Sequence, residues 1–132
     1  LLDDVPRALP ALARTQKLGR RAAGAGFDFA AARGAADKVA EELAEVLEAA
    51  DGEGGEVRTR RVFEEVGDLL FAAANLARKL DVDAEAALRA ANLKFERRVR
   101  SMETMCRREG ADFAALNIAA QERLWQRAKR AE

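Results

Sequence analysis

Along most of the chain apolar residues recur three and four positions apart rather than alternating, which is the spacing of a helix that buries one stripe. Five helices follow from it. Asp4 and Pro6, a capping residue followed by a first-turn proline, open a first helix that runs to about Ala23, ahead of a turn at Gly24-Ala25-Gly26-Phe27-Asp28-Phe29. A second is expected from around Ala35 to Ala50. It stops at Asp51-Gly52-Glu53-Gly54-Gly55-Glu56, a glycine-rich acidic loop expected to be mobile and to join antiparallel neighbours. The third spans roughly Val57 to Leu80, with Val62, Val66, Leu69, Ala73, Leu76 and Leu80 on one stripe. Asp83 caps the fourth, from Ala84 to about Glu109, and Gly110 ends it. A short fifth covers Ile118 to Lys129. Helix formers dominate and β-branched residues are sparse, so the fold class is all-α, an antiparallel helical bundle of about five helices. The third and fourth helices are too long and too apolar for one small monomer, which predicts a tight homodimer. Phe95, Val99, Met102 and Cys106 follow a heptad-like spacing that fits a core or a dimer seam.

Composition narrows the chemistry. With 132 residues and 49% apolar side chains, the chain is expected to form one domain over residues 1–132. It begins at Leu1 rather than Met, which leads to the expectation that it is part of a longer, two-domain protein. Lys+Arg and Asp+Glu both number 23, so no basic excess is available for nucleic acid or for an anionic membrane surface. No apolar run is long enough to span a bilayer, no signal peptide is evident, and the single Cys106 cannot form an intrachain disulfide; a cytoplasmic location is expected. There is no histidine, which removes Ser-His-Asp and Cys-His catalysis and histidine-ligated zinc, and the only serine is Ser101. An enzyme built from this chain works with carboxylates, basic side chains and a hard cation.

A short internal repeat supplies the carboxylates. Lys38-x-x-Glu41-Glu42-x-x-Glu45 in the second helix matches Arg61-x-x-Glu64-Glu65-x-x-Asp68 in the third. Val39, Leu43, Val46 and Leu47 align with Val62, Val66, Leu69 and Leu70, so both helices set their acids in the same relation to the apolar stripe. At about 100° per residue, Glu42 and Glu65 fall at the edge of that stripe, with Glu45 and Asp68 one turn further along. Facing one another in an antiparallel pair, four such anions repel unless divalent cations lie between them. All-oxygen ligation favours Mg²⁺, with Mn²⁺ as a substitute, over zinc. The bland alternative is a solvated face with salt bridges one turn apart, the usual meaning of a single E-x-x-E on an alanine-rich helix. Duplication with a leading basic residue shifts the balance towards a metal site. Diiron bundles want Glu-x-x-His and drop out for lack of histidine.

Together Glu42-Leu-Ala-Glu45 and Glu65-Val-Gly-Asp68 resemble the E-x-x-E and E-x-x-D signature of the MazG family, within the all-α NTP pyrophosphohydrolases. The similarity extends through Gln16-Lys17-Leu18, the Gly26-Phe27-Asp28 turn, Asp37-Lys38-Val39, Glu64 to Phe71, Asn75-Leu76-Ala77-Arg78 and Ala91 to Arg98, in particular as in the C-terminal domain of long bacterial MazG proteins. Phe29 stands where the family often has tryptophan, and Arg61 where lysine is usual. The resemblance implies Mg²⁺-dependent hydrolysis of nucleoside triphosphates to monophosphate and pyrophosphate, a house-cleaning of the nucleotide pool. It implies that Glu42, Glu45, Glu65 and Asp68 hold Mg²⁺. Glu41, one position off the ligand face, is the candidate for deprotonating the attacking water, and Glu64, its counterpart among the substrate contacts, the second choice. Lys38, Arg61, Lys94, Arg97 and Arg98 would clamp phosphates, and Trp125 would cover the nucleobase. For each basic residue a surface salt bridge remains an open reading, and for Trp125 so does core or dimer packing. Rival functions are a relative specific for dNTPs or phosphoribosyl-ATP and, from another class, a non-catalytic helical dimerisation or nucleotide-binding regulatory module.

Overall fold

The computed structural model describes all of residues 1–132 and is entirely helical, with five α-helices and no strand. They are α1 (Ala11–Gly24), α2 (Ala32–Ala50), α3 (Glu56–Lys79), α4 (Ala84–Arg108) and α5 (Ile118–Arg130), with a 3₁₀ turn at Phe113–Ala115 before α5. No helix is long and apolar enough to cross a membrane. Two compact units divide the chain, Leu1–Ala87 and Leu88–Glu132; α4 gives its first turn to the first unit and the rest to the second.

In the first unit α3 is the common partner, packing on α2 and on α1. Two neighbours on two faces explain a departure from the expected stripe. Ala72 and Ala74 are the buried residues of α3, whereas Ala73 is exposed and Val62, Val66, Leu69 and Leu76 are half-buried. The buried apolar residues of this unit are all small: Val5, Ala35, Ala49, Ala72, Ala74 and Ala84. Alanines let helix axes approach closely, but each removes little surface from water. Leu43, Leu47, Phe63 and Leu70 are correspondingly left exposed, Phe63 by 79%.

The first helix starts later than expected, at Ala11 with Pro10 at its cap. A helix opening at Pro6 would carry Pro10 in its second turn, where the missing N–H and the ring clash with the carbonyl four residues back disfavour it. The preceding residues instead fold into a turn, with Val5 N–H donating to Leu2 O and Asp4 paired with Arg21. The turn between α3 and α4 is closely held. Asp81 takes a left-handed conformation (φ 57°), and Val82 N–H donates back to Ala77 O at 2.9 Å, a Schellman-type ending. Asp83 then caps α4 by accepting from Ala86 N–H at 3.0 Å. From α1, the buried Gln16 completes the turn: its Nε2 donates to Ala74 O (3.2 Å) and Val82 O (2.8 Å), and its Oε1 accepts from Ala84 N–H (3.1 Å).

The second unit has its own core of Met102, Cys106, Leu124 and Ala128, with Met105, Phe113, Leu116 and Trp125 packed against it. Gly110, at φ 69°, ends α4 in a conformation that a side chain disfavours. Asn117 caps α5 through Ala120 N–H at 2.9 Å. Of the heptad-like set, Met102 and Cys106 are buried and Val99 half-buried, while Phe95 is exposed and lies against Trp125 with ring centroids 5.7 Å apart.

Candidate functional site

The repeat puts its acids where two helices meet. Carboxylate oxygens of Glu42, Glu45 and Glu65 all lie within 4.8 Å of one another, Glu42 buried and the other two half-buried. Glu42 is the anchor. One oxygen pairs with Lys38 Nζ at 2.5 Å, one helical turn back, and Oε2 is buried with no N–H or hydroxyl donor. Lys38 also reaches Glu41 at 3.1 Å, and these two carboxylates raise its ammonium above the ordinary lysine range. In return, hydrogen bonding to Lys38 holds Glu42 below the usual carboxylate value. Glu45 moves the other way: hydrogen bonding to Glu42 and repulsion from it, then burial and the charge of Glu65, push its carboxyl up. This is the electrostatic signature of acids brought together with one cation too few.

The two halves of the repeat are not equivalent. Lys38 turns inward to its own helix, but Arg61 reaches across to Glu48 on α2 at 3.6 Å, leaving Glu64 and Glu65 without a basic partner. Asp68, shorter by one methylene than the glutamates, is outside the three-carboxylate set and instead lines a cavity of about 610 Å³ together with Glu42 and Lys38. Glu41 and Glu64 are exposed.

That cavity lies among α1, α2, α3 and the segment before α2, and is walled mainly by apolar groups, with Phe27, Phe29 and Phe71 contributing rings. Further along α3 than Asp68, Asn75 and Arg78 line it together with Asp28, and these belong to a bonded polar set. Arg78 donates to both oxygens of Asp28 (2.5 and 3.3 Å), Lys79 donates to Asp28 (3.2 Å) and to Phe29 O (2.7 Å), and Arg78 Nε also donates to Asn75 Oδ1 (2.8 Å). Arg78, with Lys79 and the Phe29 N–H, holds the Asp28 carboxyl down at about 2. Asp28, Asn75 and Arg78 lie in segments that carry the family resemblance, but no role was assigned to any of them from the sequence.

In the second unit Arg98 is bound to Glu132 through two nitrogens (2.7 and 3.1 Å), Arg97 approaches the same carboxylate at 3.8 Å, and Lys94 makes no salt bridge. Arg98 lies 5.2 Å from the centre of the Trp125 ring.

Fold and site therefore define an all-helical protein whose first unit gathers three glutamates from two successive helices against one lysine, beside an apolar cavity. Residues 33–102 match the family model of the MazG nucleotide pyrophosphohydrolase domain, and the chain belongs to that family. It is 45% identical over 131 residues to the nucleoside triphosphate pyrophosphohydrolase of Escherichia coli, an alignment covering 99% of this chain and 49% of that protein. It is 36% identical over 128 residues to the nucleoside triphosphate pyrophosphohydrolase/pyrophosphatase MazG of Thermotoga maritima, covering 97% of this chain and 48% of the relative. The chain thus spans about half the length of these curated relatives.

Proposed function

We propose that this chain hydrolyses nucleoside triphosphates to the monophosphate and pyrophosphate with the help of Mg²⁺. The observation that carries the reading is the set of three glutamates with a buried, unpartnered Glu42 oxygen, beside a cavity of about 610 Å³ that can take a nucleoside. The donor set fits a hard cation. It is all carboxylate oxygen, it carries more negative charge than Lys38 balances, and Glu42 Oε2 is buried with no N–H or hydroxyl donor, an arrangement that a cation would satisfy. Glu42, Glu45, Glu65 and Asp68 would hold the ion, with Mn²⁺ as a substitute. Bound there, the ion supplies charge neutralisation for phosphate oxygens as the α–β bridge breaks.

The side chains then divide the remaining work. Glu41 is exposed and its only partner is Lys38, so it is free to accept a proton from water; Glu64 is the second choice. Lys38, shared between Glu41 and Glu42, can turn one of its three donors to a phosphate. Arg61 is held only by Glu48 at 3.6 Å, half-exposed, and is available for the same purpose. The phosphate contacts of Lys94, Arg97 and Arg98 rest on the family resemblance. Trp125 has Arg98 over its ring and Phe95 beside it, which supports packing rather than a base contact.

We infer further that α2 and α3 run antiparallel and that the protein is a cytoplasmic homodimer. Contacts of Arg58 with Ala50, Arg61 with Glu48 and Glu65 with Glu45 step back along α2 as they step forward along α3. Leu43, Leu47 and Leu70 are about half exposed and Phe63 is 79% exposed, so covering what remains would gain about 1 kcal/mol for each leucine and about 2 kcal/mol for Phe63. The continuity of α4 through both units, and a family match that crosses their boundary, support one domain.

Product analysis after incubation with ribo- and deoxyribonucleoside triphosphates, with Mg²⁺ or EDTA, tests the function. Monophosphate and pyrophosphate are expected only with metal. Release of orthophosphate, or no turnover of any nucleotide, would overturn the assignment.

A further inference from the structure

We propose that Asn75 reads the edge of the nucleobase as a hydrogen-bond donor, and so selects bases bearing a carbonyl at pyrimidine position 4 or purine position 6 over those bearing an amino group. The proposal rests on the pyrophosphohydrolase reading, in that it takes the ligand of the cavity to be a nucleoside triphosphate.

The argument starts from positions along α3. Asp68, Ala72 and Asn75 share a face at helical spacing, and all three line the cavity. Asp68 marks the carboxylate end. Asn75 lies seven residues on, about 10 Å along the axis at roughly 1.5 Å per residue. That is the reach of a sugar and base ring from a phosphate held at the carboxylates. Between them the wall is apolar, with Phe71 on α3 and Phe29 from the segment before α2 available to pack on a flat ring.

The orientation of the Asn75 amide is settled by its neighbour. Arg78 Nε carries only a hydrogen and can only donate, so the atom it meets at 2.8 Å is the Asn75 oxygen. Arg78 is itself fixed by both oxygens of Asp28. Across the helix pair, Gly19 presses on the same groups: a Cβ there would lie 2.8 Å from Arg78 Nε and 3.0 Å from Asn75 Oδ1. The oxygen is therefore committed to one side, and the Nδ2 donors engage no acceptor in the chain. Because Asn75 lines the cavity and its oxygen is engaged, the groups it has left to offer a base there are N–H donors, which match O4 of uracil or O6 of a 6-oxopurine and are mismatched to the amino group of cytosine or adenine. Gly19 also lines the cavity, and its lack of a side chain leaves room for Asn75 and Arg78 to hold this arrangement.

The test measures binding and turnover in parallel. Non-hydrolysable α,β-methylene triphosphates of uridine, cytidine, inosine and adenosine are titrated with Mg²⁺ into the wild type, Asn75→Asp and Gly19→Ala by calorimetry. The wild type should favour uridine over cytidine and inosine over adenosine by on the order of ten-fold, the cost of a buried donor facing a donor. Asn75→Asp keeps an oxygen for Arg78 but replaces the donors with an acceptor, so both preferences should reverse; Gly19→Ala should blunt them. A purely structural role for Asn75 would weaken all four analogues alike. Equal affinities in the wild type, a parallel loss in Asn75→Asp, or no binding at all would overturn the proposal. A base ranking that holds without pyrophosphate release from the ordinary triphosphates would sink the catalytic reading and leave the recognition standing.

Discussion

Replacing Gln16 isolates what one buried side chain does for the first unit. Gln16 serves Ala74 O, Val82 O and Ala84 N–H, three backbone groups at the junction of α3 and α4. Gln16→Met keeps the length and most of the volume but bonds to none of them. Ala74 O, inside α3, keeps its helical bond from Arg78 N–H, so two groups are stranded, Val82 O and Ala84 N–H. At about 1–3 kcal/mol each, reduced where the turn can relax to water, a loss of about 2 kcal/mol is expected, or a melting temperature lower by about 7 °C. Gln16→Glu separates donors from acceptor. It retains an oxygen for Ala84 N–H but sets a carboxylate against the carbonyls of Ala74 and Val82, which raises its folded pKa above the unfolded value. The native state then binds more protons than the unfolded one, so stability rises as pH falls towards and through the unfolded value of about 4.3. Gln16→Met has no such group and should show no such recovery relative to wild type. Thermal melts followed by far-ultraviolet circular dichroism between pH 7 and pH 4 decide the matter. A Gln16→Met variant that melts within about 2 °C of wild type would refute the reasoning, because no other side chain reaches the two stranded groups.

Other perturbations probe the site and the assembly. Glu42→Gln or Asp68→Asn should lower metal-dependent pyrophosphate release by about a hundred-fold or more with the helical spectrum retained, and wild-type rates in both would remove the metal-site argument. Asp28, held at about 2 against an ordinary 3.8, stabilises the fold above pH 3.8, and that contribution is lost as pH falls through about 2. Asp28→Asn should therefore melt below wild type at pH 7 and converge with it near pH 2; a gap independent of pH would show that the ion pair with Arg78 is not the source. Sedimentation at micromolar concentration should give twice the 14.4 kDa chain mass, with Phe63→Glu shifting the protein towards monomer; a monomeric wild type would refute the dimer.

Local rules carried far in this chain wherever the deciding partner was local. Asp83 and Gly110 bound α4 within one residue of expectation, and α3 runs Glu56–Lys79 against an expected Val57 to Leu80. The start of α1 failed for a local reason as well, since Asp4 and Pro6 satisfy a capping rule that Pro10 then vetoes. The site was legible as a repeat, because helical periodicity says which face a carboxylate occupies. It does not say which neighbour a flexible cation will choose. Lys38 stays with Glu42 four residues away, whereas Arg61 crosses to Glu48, and periodicity treats the two alike. Gln16 and Asp28 were quoted for the family resemblance, but their contacts were not legible, for a different reason. Their partners lie 50 or more residues distant, and a lone polar residue in a helix or turn reads as solvated until the tertiary contact is known.

The second unit holds both of the chain's natural reporters. Cys106 is the sole cysteine and is 2% exposed, packed among Met102, Leu124 and Ala128, and Trp125, the sole tryptophan, lies against the same cluster. A thiol reagent reaches Cys106 only when that cluster opens, so the labelling rate reads the opening free energy of residues 88–132 directly, without any engineered probe. Indole fluorescence carries the same bias. The carboxylate-bearing unit is optically silent by comparison, and an unfolding curve drawn from fluorescence alone would describe the part of the molecule that does not contain Glu42, Glu45 and Glu65.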